Sequence, residues 1–396
     1  MIVRKTLPEE ARRINELFAI CFEFPYSNCP IEDPEKDDAI HWASYTDSGE
    51  MMSNFTIPSY VVNFDGAACK MAGIGGVATL PQYRRQGGIR ACFEAALPDL
   101  YDNGYELSYL YPFSTRFYRQ FGYECCVQKY AWEINLSLLN PPKFAGTFRL
   151  AEKSCPMISE IRAVDSVWEQ HFNMMVQHKE EDYKWAAEAD PAVKQEFTYV
   201  WFDPANTPKA YTTFKAVYEN GTRNIVCSRF CFADKEGFGG LLQLFKSLAA
   251  DHAFAKFHTP ALPSLQYLMP EWSLGAARWE VLANGGMVRV VNAQKILEKA
   301  KYIGSGQIVL EISDPLIPQN NGCFAVTFSD GKAVQVSRVH TPADVTLTIP
   351  AFSALICGVW DWEDASYTLS GLTVSNPHAP LRQVFYRKPL LIIDFF

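Results

Sequence analysis

At 396 residues with a formal net charge of -8, the chain is too long for one ordinary domain and too acidic to favour nonspecific contact with nucleic acid or an anionic membrane. Hydrophobic residues at 48% and aromatics at 14% exclude a disordered polypeptide. The balance leaves room for a cationic substrate, whereas an anionic ligand must find a local positive site.

No apolar run approaches the ~18 residues of a membrane span. Met1-Ile2-Val3-Arg4-Lys5 leads directly into polar sequence, so the expected location is the cytoplasm. The 11 cysteines form no even framework. Cys125 and Cys126 are adjacent and lack zinc-ligand spacing; Cys227 and Cys231, placed to share a helix face, have no matching His or Cys pair after them. Reduced, buried thiols and no metal are expected.

Residues 2 to 6 read as a short strand, and Pro8-Glu9-Glu10 opens a helix whose Ile14, Leu17, Phe18, Cys21 and Phe22 share a face. Phe24 to Asp38, rich in prolines and acids, reads as a loop, either solvated or bordering a substrate cleft. Thr56 to Val62 and Ala67 to Leu80 read as strands, and Gly73, Gly75 and Gly76 in the second mark a bulge or a close approach by a ligand. Val77 to Arg90 then runs strand, tight loop, helix start. Small residues, Arg84 and Arg85, and Gly87-Gly88 at the helix start bring N–H groups and positive charge together, which suits a pyrophosphate. The helix buries Ile89, Cys92, Phe93, Ala96 and Leu97 until Pro98 disturbs it.

Leu107 to Tyr111 is strand-like and ends at Pro112, and a short helix through Arg116 to Phe121 stops at Gly122, a left-handed cap. Residues 127 to 135 read as the closing strand of the first domain, and Asn140-Pro141-Pro142 as a linker. Thr147 to Ala151 and Met157 to Trp168 read as a new first strand and first helix; His171 and His178, seven apart on a helix, read as surface or half-buried side chains. Phe230 to Leu242 echoes the earlier turn without counterparts of Arg84 and Arg85, and Glu236 puts a negative charge in the loop, so a phosphate site there is lost. Composition changes again at Met287 to Ala293. Strands are expected at Gln307 to Ile312, Gly322 to Phe328, Val334 to Val339 and Val345 to Ile349, and helices at Phe352 to Val359 and Leu381 to Phe385. The apolar end, Leu390 to Phe396, is expected to dock.

Arg84-Arg85-Gln86-Gly87-Gly88-Ile89 resembles the Q/R-x-x-G-x-G/A acetyl-CoA motif of the GCN5-related N-acetyltransferases (GNAT), with Ile in the last place. Tyr118 to Tyr123 resembles the Y-x-x-F-G-Y segment that follows it in many of these enzymes. With the paired halves, the Met287 to Lys299 junction and a terminal Phe, the chain resembles the Eis family of bacterial enzymes. The resemblance implies an α/β fold with mixed α+β sheets, tandem GNAT-fold domains followed by an SCP2-like (sterol-carrier-protein-like) domain. Residues 1-140 are then the active domain, 141-285 a degenerate one, and 286-396 the last, with its terminus reaching the active site.

The resemblance further implies acetyl-CoA as cosubstrate. Val77, Ala78 and Thr79 would meet the pantetheine arm, and N–H groups of Arg84, Arg85, Gln86, Gly87, Gly88 and Ile89 the pyrophosphate. Tyr118 would be the general acid and the free carboxylate of Phe396 the general base. Family members often place Ser where Phe113 stands, next to Ser114, and an acidic residue can stand where Phe395 does; both departures bear on the acceptor pocket. A phenol of pKa about 10 matches a departing thiolate, and a terminal carboxylate of about 3.3 to 3.7 serves as base only when buried or acting through ordered water. Read alone, Tyr118 is one of 19 tyrosines, and Phe395 and Phe396 are apolar anchors.

The expected activity is transfer of acetyl to a primary amine, an aminoglycoside-like polyamine or a lysine side chain, by direct attack in a ternary complex. The resemblance also implies a homo-hexamer. Two other readings are a carrier of lipid or small apolar ligands through the C-terminal domain, and a CoA-binding regulatory protein.

Overall fold

The computed structural model describes residues 1–29, 31, 38–126, 128–219, 221–262, 264–268, 277–282 and 285–394. They fall into two compact units, Met1–Val127 with Asn284–Phe396, and Gln128–Ala283.

The chain opens with β1 (Ile2–Lys5), α1 (Ala11–Phe22), β2 (Ile40–Tyr45), β3 (Met51–Ile57), β4 (Ser59–Phe64) and β5 (Ala67–Thr79). There follow α2 (Gly88–Asp102), β6 (Leu107–Leu110), α3 (Thr115–Arg119) and β7 (Glu124–Cys125). Helix α1 buries Ile14, Leu17 and Phe18, spaced for one helical face. Helix α2 buries Ile89, Cys92, Phe93, Ala96, Leu97 and Leu100 and, against expectation, runs through Pro98 to Asp102. The apolar stripe continues on both sides of Pro98, and its packing outweighs the lost backbone bond.

Strand β5 changes partners along its length. Met71 to Ile74 pair in parallel with Leu107 to Leu110 of β6. On its other edge β5 pairs with β3, where Asn54 opposes Ala78 and Thr56 opposes Gly75. Phe55 therefore faces two residues, Gly76 and Val77: a bulge, with Gly76 at φ 57. Past Ile74 the strand stays on β3 while β6 ends, so the two parallel strands part.

The second unit contains β8 (Lys129–Asn135), β9 (Thr147–Leu150), α4 (Ile158–His171), α5 (Lys184–Ala187), α6 (Pro191–Lys194), β10 (Glu196–Phe202), β11 (Pro208–Glu219) and β12 (Thr222–Phe232). It continues with α7 (Lys235–Ser247), β13 (Phe254–Pro260), α8 (Ser264–Leu268) and β14 (Ala277–Leu282). The sheet order is β14-β8-β13-β12-β11-β10-β9, and only β12 and β13, the pair joined by α7, run parallel. The succession strand, helix, antiparallel strands, helix, parallel strand repeats the N-terminal order, as the internal echo in the sequence implies.

Strand β8 was expected to close the first domain. Instead it lies in the second unit, with Phe254 to Pro260 paired against Asn135 to Lys129. Its alternation of buried Tyr130, Trp132 and Ile134 with half-buried neighbours fits a one-sided sheet position. The proline segment at 140 to 142 also packs here: Gln243 Nε2 donates to the Pro142 carbonyl at 2.7 Å. Cys227 and Cys231 lie on strand β12, not on a helix, because β-branched and aromatic neighbours extend the ladder with β11. His178 lies beyond the end of α4, where its Nδ1 is 2.9 Å from Glu169 Oε1.

The C-terminal part of the first unit begins with β15 (Met287–Val290), which inserts between β6 and β7 and completes the sheet order β1-β2-β3-β5-β6-β15-β7. All four of its residues are buried, the requirement for a central strand covered on both faces. After it come α9 (Ala293–Lys299), β16 (Gly306–Ser313), β17 (Gly322–Ser329), β18 (Lys332–Val339), β19 (Val345–Thr348), α10 (Ile349–Ile356), α11 (Trp362–Thr368), β20 (Leu372–Val374) and α12 (Leu381–Val384). The sheet β18-β17-β16-β19-β20 buries Ile308, Leu310, Ile312, Phe324, Val326 and Phe328. Leu391 and Ile392 are buried near the chain's end. Among the described residues no helix is long and apolar enough to cross a membrane.

Candidate functional site

Backbone groups alternate sides along a strand. Leu80 N donates to Met52 O at 3.0 Å, so Ala78 and Leu80 turn their polar groups to β3, and Thr79 turns its own to the edge that β6 has left. Gly76 makes the bulge possible twice over: its φ is positive, and a β-carbon there would lie 2.6 Å from Phe18 Cζ.

Beyond Leu80 the loop turns through Arg85 at φ 66 and Gly87 at φ 84, left-handed conformations of the kind that curl N–H groups into an anion-binding concavity. No side chain caps α2, and its first helical bond is Ala91 N to Gly87 O at 3.0 Å. The N–H groups of Gly88, Ile89 and Arg90 thus lack intrahelical acceptors, and the helix dipole adds positive potential. Gly88 is wedged against the Ser44 and Ser53 hydroxyls, where a β-carbon would come within 2.5 and 2.6 Å. Those hydroxyls share a hydrogen bond of 2.5 Å, so the wall behind the helix start is fixed.

A cavity of about 710 Å³ opens at this junction. Val77, Ala78 and Thr79 line one side; Arg84, Arg85, Gly87, Gly88 and Ile89 line another. Gln86, also expected there, does not line it: its amide turns back to the Gln82 carbonyl at 3.1 Å, the shorter reach for an exposed side chain in this loop. Arg84 and Arg85 are exposed and form no ion pair among the described residues. Phe113, tied in the sequence to the acceptor pocket, lines the cavity too, and Cys21, Phe22, Tyr83, Arg90, Phe117 and Gln120, which the sequence reading missed, complete the lining. Arg90, hydrogen-bonded to Gln120 Oε1, was within reach of the motif; Cys21 and Phe22 come from the far end of α1 and carry no local signal.

Tyr118 stands in α3, whose Ser114 hydroxyl accepts from Phe117 N at 3.3 Å. It is 2% exposed, and its ring lies 5.2 Å from Phe113 and 5.1 Å from Phe117, both of which line the cavity. Burial, with a smaller contribution from the Tyr123 phenol, pushes its hydroxyl well above the ordinary tyrosine value. The side chain is therefore held protonated. Phe396 lies outside the described residues. The last described residue, Asp394, accepts from the Tyr111 hydroxyl through its main-chain carbonyl.

Residues 3–126 match the model of the acetyltransferase (GNAT) domain, and residues 293–384 that of the sterol carrier protein domain. The chain carries a GNAT acetyltransferase domain. Three solved structures share its fold over the whole chain. The GCN5-related N-acetyltransferase of Anabaena variabilis has TM-score 0.86 at 19% identity and covers 100% of both chains. The "probable N-acyltransferase" of Enterococcus faecalis has TM-score 0.85 at 23% identity, covering 100% of this chain and 99% of the other. Eis1 of Mycobacterium abscessus has TM-score 0.79 at 16% identity, with 100% of both covered. A comparison with curated proteins finds no match.

In the second unit the start of α7 leaves no such open set of donors among the described residues. At the start of α7, Asp234 caps the N–H groups of Glu236 and Gly237 at 3.0 and 2.9 Å, occupying the donors that α2 leaves open. Its glycines answer to packing: β-carbons at Gly237, Gly239 and Gly240 would collide with Lys209 O, Phe144 and Trp201.

Proposed function

We propose that the chain is an N-acetyltransferase moving acetyl from acetyl-CoA to a primary amine by direct attack in a ternary complex. The observation that carries this reading is the meeting of the parted β5 edge with the uncapped start of α2 at one cavity bearing two arginines that form no ion pair among the described residues. The residues fit the cosubstrate in sequence: Arg84, Arg85 and the N–H groups of the α2 turn toward pyrophosphate, Val77 and Thr79 toward the pantetheine arm. Acetyl-CoA supplies the activated acyl group.

Alignment of amine and acyl carbon can account for about 7 to 11 kcal/mol of barrier. An N–H at the bulge, Val77 above all, polarises the carbonyl. Tyr118, kept protonated by burial, donates to the departing sulfur. Around the bulge β5 reads Gly73-Ile74-Gly75-Gly76-Val77, with no titratable side chain, which supports a base from another segment. We assign that role to the Phe396 carboxylate. The part of the first unit up to residue 127 is proposed as the active domain, in place of the 1-140 read from the sequence, the second unit as a silent one, and 286-396 as the part that presents the terminus, in a homo-hexamer. A net charge of -8 favours cationic acceptors, a polyamine or a lysine side chain.

A thiol-release assay with acetyl-CoA across a panel of aminoglycosides, polyamines and lysine peptides tests the reading. Turnover with at least one amine, cut in kcat by Tyr118→Phe, is expected. Binding of acetyl-CoA without transfer to any amine would favour a regulatory CoA-binding protein instead.

A further inference from the structure

Arg289, on β15, has no exposed surface, yet it carries a full charge into the core beside α3. Its Nε–H donates to the Phe121 carbonyl at 2.7 Å and its Nη1 to the Val290 carbonyl at 2.8 Å. Nη2 meets both oxygens of Asp314, at 2.8 and 3.0 Å. Asp314 is itself immobilised, accepting from the N–H groups of Leu316 and Ile317 and from Asn320 Nδ2.

Phe121 is the hinge of the turn that follows Tyr118. Its N–H returns to the Tyr118 carbonyl at 2.9 Å, and its own carbonyl is the one Arg289 holds. The next residue, Gly122, has φ 87, and a β-carbon there would press on Arg289 Nε at 2.9 Å, so turn and guanidinium are fitted to each other. The Phe121 ring stacks on Phe93 at 4.3 Å, and Phe93 in turn meets the Tyr118 ring edge-on at 6.1 Å. A five-residue helix has little rigidity of its own, so the direction of the Tyr118 phenol depends on what holds this end.

We infer that Arg289 is a positioning residue for Tyr118, fixing the turn after α3 to Asp314 and so making acetyl transfer in the N-terminal domain depend on a side chain delivered after the second unit. The inference rests on Tyr118 acting as the general acid. A buried ion pair adds little net stability, because desolvation offsets its attraction. What this one supplies is direction.

The test is a kinetic cycle of two variants in two backgrounds. Arg289→Lys keeps the charge near Asp314 and loses the donor to Phe121. Arg289→Met with Asp314→Asn removes both charges at nearly constant shape, so that neither is left unpaired and the fold is spared. Against wild-type Tyr118, each is expected to lower kcat roughly 10-fold with unchanged acetyl-CoA KM, a loss of the size a misdirected proton donor gives. In the Tyr118→Phe background neither is expected to lower kcat further. Equal losses in both backgrounds would mark Arg289 as merely structural, and no loss in either would overturn the inference as well. A Tyr118→Phe enzyme with undiminished kcat overturns the general-acid reading first, and the positioning role with it.

Discussion

The Tyr111 hydroxyl donates to the main-chain carbonyl of Asp394 at 2.6 Å, joining the end of β6 to the end of the chain across 283 residues of sequence. This bond holds the last described residue beside the edge from which β5 departs. Tyr111→Phe removes it and leaves the ring. The expected outcome is a stability loss of about 0.5 to 1.5 kcal/mol by thermal melting, faster release of the terminal residues by carboxypeptidase, and a lower kcat at unchanged acetyl-CoA KM. Unchanged release kinetics would contradict the clamp.

Extending the chain past Phe396 by a few glycines moves the carboxylate without touching any described contact. Turnover is expected to collapse while the melting temperature holds. Full activity would remove the terminal carboxylate from the mechanism.

Arg84→Glu with Arg85→Glu tests the anion site. Both side chains are exposed, so folding should be unaffected. Two charge-assisted contacts at about 1.5 kcal/mol each predict an acetyl-CoA KM raised roughly 100-fold, with a smaller effect on kcat. The same KM as wild type would contradict pyrophosphate binding here.

Gly76→Ala tests the bulge. A β-carbon 2.6 Å from Phe18 Cζ, on a residue at φ 57, must push α1 outward or flatten the strand. A destabilisation of about 1 to 3 kcal/mol is expected in denaturant unfolding, together with weaker acetyl-CoA binding by calorimetry. Paired with Phe18→Leu, which frees the space but not the torsion, only part of the loss should return.

Alkaline pH tests the buried phenols. Burial pushes Tyr123 up to about 12 from an ordinary 10.0, against the opposing hydrogen bond from Ser108 and the charge of Arg289. The folded chain therefore keeps a proton that the unfolded chain releases. Stability from this group is whole below pH of about 10 and declines as pH climbs from there toward 12, by roughly 1.4 kcal/mol per unit. Tyr118 and Tyr109, also raised chiefly by burial, act in the same sense. Melting temperatures measured from pH 8 upward should be level and then fall, with tyrosinate absorbance rising at the same transition.

What the sequence made legible is what contiguous residues determine. The turn from Val77 to Arg90 needs small residues, left-handed positions and a helix start within one short stretch, and each leaves its mark in the letters. Strand β8 was visible as a strand because its apolar alternation is local; its sheet was not, because that depends on β13 and β14 well over a hundred residues away. Met-Val-Arg-Val at β15 hides its central place for another reason. An arginine in a short run reads as surface, and the Asp314 carboxylate and the Phe121 carbonyl, which with the neighbouring Val290 carbonyl satisfy its guanidinium, are not near in sequence. Pro98 misled in the opposite direction, since a half-buried breaker within a well-packed helix costs less than the packing holds.

The position of β15 also sets a timetable. Between emergence of β7 and emergence of Met287–Val290 the ribosome must add every residue of the second unit, which at 5 to 20 residues per second takes roughly 8 to 33 s. Throughout that interval β6 waits for its β15 partner, and an unpaired strand edge is a template for pairing with another chain. A fragment ending at residue 126 would spend its whole life in that state.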